Sequence, residues 1–110
     1  VLYVLAAGAL AQPAPAARAQ IDRLIAAVEG SGCAMERNGA LHDAHEAAAH
    51  LRMKLARAGA QVTTVEQFID RVASTSSFSG APYRVHCPGT AGRPAAEWLR
   101  AQLRVLQQSE

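Results

Sequence analysis

The sequence predicts an α+β domain: about four helices packed on a small two- or three-stranded sheet, stapled by one disulfide. Three observations predict it. Four stretches repeat apolar residues at the period of a helix with one buried face. Two short runs, CAMER at 33–37 and PYRVHC at 82–87, alternate in character instead, as half-buried strands do. Each of those runs carries one of the chain's two cysteines.

The elements follow in order. Ile21, Leu24, Ile25 and Val28 mark one face of a helix from about Gln20 to Glu29. Gly30-Ser31-Gly32 ends it, and Pro13 and Pro15 are expected to break any helix leading into it. CAMER reads as a strand, Asn38-Gly39 as a tight turn, and Ala40 and Leu41 as a brief return. A second helix spans about Asp43 to Ala58, with Ala44, Ala47, Ala48, Leu51, Leu55 and Ala58 inward and Gly59 as its stop. Thr63-x-x-Glu66 reads as a capping box opening a third helix, which buries Val65, Phe68, Ile69 and Val72. A hydroxyl-rich stretch, 74–80, follows. PYRVHC is the next strand and GTAGRP, 89–94, a loop. Pro94 suits the first turn of a last helix, which carries Trp98, Leu99, Leu103 and Leu106 inward.

The first residues, VLYVLAAGALA, are too short to span a bilayer, which takes roughly 20 helical residues. They match the apolar core of a secretory signal peptide, and Ala17-Arg18-Ala19 matches a small-x-small cleavage pattern. The expectation is therefore a leader over 1–19, lacking its basic front, and one small domain over 20–110. The whole chain of 110 residues holds 11 basic and 9 acidic residues, a net charge of +2. Cleavage removes Arg18 and leaves a balance near zero. That argues against a general nucleic-acid binder and against a polybasic membrane anchor. After leader removal, no stable membrane insertion is expected. Export places Cys33 and Cys87 in an oxidising compartment, where such a pair joins. Closing a loop of roughly 50 residues is worth about 4 kcal/mol.

HDAHEAAAH, 42–50, invites a metal-site reading. It fails on geometry. Asp43 and Glu46 form a helix start, one capping and one in the first turn. Glu46 and His50 share a face, but His45 points away, and the order is wrong for H-E-x-x-H. No metal and no cofactor are expected. Ser76, Ser77 and Ser79 with His50 and Asp43 supply the residue types of a hydrolase triad, without a nucleophile elbow or an oxyanion loop. No catalytic residue is expected.

Asp43, Glu46, His50 and Lys54 fall on one stripe. One reading is a plain solvated face. The other is that His50 and Lys54 line a groove with Arg37 and the hydroxyls of 76–80, suited to an anion or a polar polymer.

Several motifs together, SGC-x-M-E-RNG, HL-x-x-K at 50–54, FID at 68–70, SS-x-SG-x-PY-x-V at 76–85 and a final WL, resemble the YfeK-like family of small exported bacterial proteins. That is a domain-of-unknown-function family. Met35 stands where an aromatic would be common in such a strand, and Leu41 likewise follows the turn; neither undermines the match. The resemblance implies a periplasmic location and brings no activity, cofactor or catalytic residues.

The expected function is a non-enzymatic periplasmic binding or interaction module. Its polar surface would comprise Arg37, Asn38, His50, Lys54, Ser76, Ser77, Ser79 and Tyr83. The partner would be an envelope protein or a polar ligand, and not nucleic acid. Within that set, Asn38 would also serve its turn and Ser76 would cap the carbonyls of the preceding helix. The alternatives are an envelope hydrolase using Glu36, Glu46 and His50 as acid–base groups, or an inhibitor of a cell-wall enzyme presenting loop 75–81 or 88–94. A purely structural envelope protein is a further class.

Overall fold

A computed structural model describes residues 13–109. The expected leader core, 1–11, lies outside them. Helix α1 spans Pro15–Glu29 and buries Ile21, Leu24, Ile25 and Val28. It begins before the expected Gln20, so Pro15 does not break it. Proline sits in the first turn, where its missing N–H would be unpaired in any case. Ala19, the expected end of the leader, therefore lies within α1.

Strand β1 (Ala34–Arg37) runs antiparallel to β2 (Ala40–His42), with Met35 opposite His42 and Arg37 opposite Ala40. Asn38 and Gly39 between them have φ of 50° and 84°. A two-residue hairpin needs that left-handed pair, and Asn-Gly supplies it at little steric cost. Helix α2 spans Ala44–Ala58 behind the expected box: Glu46 N donates to Asp43 Oδ1 (2.8 Å) and Asp43 N to Glu46 Oε1 (3.3 Å).

The next cap differs from expectation by one residue. Thr64, not Thr63, caps α3 (Val65–Phe68) and accepts from Gln67 N at 3.1 Å. Gln67 Oε1 reaches back to Thr63 N, so the partner is Gln67 and not Glu66. After Phe68 the helix widens into a π-helical turn, Ile69–Ala73, which keeps Ile69, Val72 and Ala73 in the core.

Strand β3 (Arg84–His86) pairs antiparallel with β1, and a two-residue strand β4 (Arg93–Pro94) pairs with β3. The sheet order is β2-β1-β3-β4, so the stretch read as a loop adds a fourth strand. Arg84 Nη2 donates to Gly92 O and Ala95 N to Tyr83 O, contacts between distant segments that hold β4 in place. Pro94 lacks an N–H and is tolerated there because β4 is an edge. It stands just before α4 (Ala95–Gln108), as its N-cap.

Cys33 and Cys87 are joined, tying the start of β1 to the end of β3. One sheet face, with Met35, Tyr83 and Val85, is buried against the helices. Phe68, Leu24, Ile25, Leu51, Ile69 and Leu99 are fully buried between the helices. Each such side chain contributes roughly 1.5–3 kcal/mol through removal from water. The opposite sheet face carries Glu36, Arg84 and His86, as an antiparallel sheet with one solvated side should.

Candidate functional site

Residues alternate sides along β1, so Arg37 shares the inner side with Met35. It lies at the strand's end, where the core gives way to a hollow. The stripe on α2 supplies the hollow's second wall, and the loop 75–81 its third. The hollow holds about 220 Å³ and is lined by Arg37, Asn38, His50, Lys54, Arg57, Ser76, Ser77, Phe78 and Tyr83.

Lys54 is only 8% exposed, so of the two readings of the stripe the plain solvated face does not hold for it. Its ammonium donates to Thr75 O at 2.7 Å and to Tyr83 Oη at 3.0 Å. A buried cation needs such acceptors to offset lost hydration. These bonds fasten the loop and the strand segment to α2. Tyr83 Oη also lies 3.4 Å from His50 Nε2, the rings meeting edge to face at 64°. Burial pushes the His50 pKa down to about 4, and the positive charges of Arg37, Lys54, His42 and Arg57 push the same way. At neutral pH its imidazole is uncharged.

Asn38, Ser76 and Ser79 form the brace of the loop. Asn38 Nδ2 donates to Ser76 Oγ (3.1 Å), and Ser79 Oγ donates to Asn38 Oδ1 (2.6 Å). Ser76 Oγ also accepts from the N–H groups of Phe78 and Ser79. Ser76 therefore does not cap the preceding helix. Ser74 does that, donating to Ile69 O. Ser79 stands outside the hollow's wall, while Ser77 stands on it.

Two lining residues were missed by sequence reasoning. Arg57 follows Lys54 by three positions on the same helix face, a spacing that could have flagged it. Phe78 is 96% exposed at the tip of the braced loop, and no local pattern predicts that.

The candidate acid–base groups are dispersed. Glu36 pairs with His86 at 2.8 Å on the solvated sheet face. Glu46 serves the α2 cap, with His42 3.5 Å away. His45 meets Glu29 at 2.9 Å. Only His50 reaches the hollow. Among the described residues no three His, Cys, Asp or Glu side chains gather as metal ligands. Nor is any described helix long and apolar enough to cross a membrane.

The electrostatics of the hollow are one-sided. Among the described residues its lining contains arginine, lysine and histidine and no carboxylate. Arg37 Nε is buried with no acceptor among the described residues. Groups in that condition are rare in folded proteins.

The profile of the family of unknown function DUF5329 matches residues 15–107. The chain belongs to that family. Over 47 residues it is 53% identical to the uncharacterized protein YfeK of Salmonella typhimurium (strain LT2), covering 43% of this chain and 39% of that protein. The match thus spans about two-fifths of its curated relative. No solved structure matches the chain.

Proposed function

We propose that this chain is an exported, non-enzymatic module that binds an anionic group in the hollow between β1, α2 and the loop 75–81. The observation that carries this reading is the convergence of Arg37, Lys54 and Arg57 on one cavity with no carboxylate among the described residues of its wall. Arg37 and Arg57 have no ion-pair partner among the described residues, and each guanidinium can grip a carboxylate or phosphate with paired N–H donors. Ser77 and Tyr83 add hydroxyls to orient the anion. The disulfide supports export, since such bonds belong to oxidising compartments. So does the apolar run ahead of α1.

Isothermal titration with inorganic phosphate and with acetate tests the reading. The wild type should bind one of them, Arg37→Ala should weaken binding about tenfold, and the affinity should fall with added salt. No heat with either anion, or an Arg37→Ala variant that binds as well as wild type, ends it. For location, the mass of native protein from a periplasmic fraction should correspond to a chain lacking the apolar run.

A second reading has one observation of its own. The braced loop holds Phe78 out in water, as an inhibitor would present an anchor to a cell-wall enzyme. Phe78→Ala would then abolish capture of that enzyme from envelope extract.

A further inference from the structure

We infer that the anion groove accepts an extended acidic segment of a polypeptide, running from Arg37 past Arg57 to Arg71. This rests on the anion-binding reading above and adds the shape and class of the ligand.

The hollow does not end at Lys54. A second one, about 270 Å³, adjoins it and is lined by Lys54, Arg57, Ala58, Gln61, Arg71, Val72 and Ser77. The two share Lys54, Arg57 and Ser77 and so adjoin one another, and the pair taken together is here called the trough. Among the described residues neither wall contains a carboxylate. Arg71 Nη1 donates to Gln61 O at 2.9 Å, which sets the guanidinium at the far rim. Its charge meets no carboxylate among the described residues.

The dimensions exclude a single small ion as the full occupant. His50, Lys54, Arg57 and Gln61 succeed one another along α2 and the turn after it. At 1.5 Å per residue that stripe is roughly 16 Å long. An extended chain of about five residues covers the same distance. A phosphate or acetate would fill one part and leave the remaining cations unmatched.

The lining chemistry suits a polypeptide. Cations recur along the trough and match repeated carboxylates. Between them stand neutral donors and acceptors, Ser77 and Gln61, which suit backbone amides. Phe78, exposed at one end, suits an intervening apolar side chain. The trough is concave, whereas a bilayer presents a broad surface that cannot enter it.

Fluorescence anisotropy of the full chain tests this with a short labelled peptide alternating glutamate with leucine. Its glutamine counterpart, inorganic phosphate as competitor, and phosphatidylglycerol vesicles complete the set. The acidic peptide should bind at least about tenfold tighter than the glutamine peptide. Arg71→Ala should weaken the peptide about fivefold and leave phosphate binding unchanged, because Arg71 is exposed and beyond the first hollow. Arg37→Ala should weaken both. If phosphate binds but the acidic peptide gains nothing over its glutamine form, or Arg71→Ala has no effect, the extended ligand is wrong and the single-anion site stands. If neither phosphate nor peptide binds, both readings fall. Vesicle binding that Phe78→Ala abolishes, without peptide binding, overturns the inference in favour of a lipid surface.

Discussion

Helix α2 has two polar faces, and they handle charge in opposite ways. On one, Arg52 donates to Glu29 at 2.8 Å and His45 approaches the same carboxylate at 2.9 Å. The Arg52 hydrogen bond, with the charges of Arg52 and His45, holds the Glu29 carboxyl below its usual range. On the other face, beyond Glu46, which is engaged at the helix cap, His50, Lys54 and Arg57 line one hollow with Arg37, and no carboxylate of a described residue lines it. Positive neighbours stabilise an ionised Glu29 and oppose an ionised His50. The molecule thus satisfies its charges on one side of α2 and leaves the other side in want of an anion. A net charge of +2 looks unremarkable when averaged over the chain, and its meaning lies in this uneven placement.

The comparison can be broken first at its frame. Reducing the Cys33–Cys87 bond should lower stability by about 4 kcal/mol, read as a shift in urea midpoint with and without dithiothreitol. Equal midpoints would mean that the strand pair holds without its staple. Next is the anchor of the unpaired face. Lys54→Met keeps the stem but leaves Thr75 O and Tyr83 Oη without their donor. It should cost about 2 kcal/mol in the same assay, and a neutral result would show that water replaces the ammonium freely. Arg57→Glu supplies the missing carboxylate directly. It should reduce phosphate affinity at least about tenfold by calorimetry while the fold persists, since Arg57 is exposed.

Protonation of His50 sharpens the contrast. Its folded pKa, about 4, lies below the ordinary 6.5. As pH falls, the unfolded chain takes up this proton first, so His50 contributes stability above about 6.5 that is lost progressively toward pH 4. His50→Asn should flatten that part of the stability–pH curve. A bound sulfate, whose charge is constant here, favours the protonated imidazole. Sulfate affinity should therefore rise as pH falls from about 7 to 5 in the wild type and stay level in His50→Asn. The smallest effect belongs to the satisfied face. Glu29→Gln should leave both thermal midpoint and phosphate affinity almost unchanged, because exposed pairs contribute little. A clear loss of affinity would show that the two faces are coupled.

Legibility followed the range of the interactions. The Asp43–Glu46 box and the Asn38-Gly39 turn are made within a few residues, and both stand where the local sequence puts them. The α1, α2 and α4 faces follow from a period that needs no partner to be read. Thr63 and Thr64 were harder, because both can cap and each has a Glu or Gln three residues on, Glu66 and Gln67. The π-helical turn at Ile69–Ala73 was invisible, since the same apolar residues fit an ordinary helix. Strand β4 depends on Arg84 and Tyr83, which lie outside its own segment.

For the candidate site, residue chemistry picked out most of the wall: Arg37, Asn38, His50, Lys54, Ser76, Ser77 and Tyr83 all line the first hollow. It did not separate brace from surface. Asn38 and Ser76 are consumed in holding the loop, and Lys54 in fastening it. The amino-acid order by itself determined the helix faces, the turn, the cap of α2 and the availability of two cysteines, because each is a property of near neighbours or of composition. Only the tertiary structure decided that Arg37 and Arg57 line one hollow and Arg57 and Arg71 the next, with no carboxylate among the described lining residues. Charge balance at a site depends on which distant side chains the packing brings within a few ångströms, and no local pattern records that.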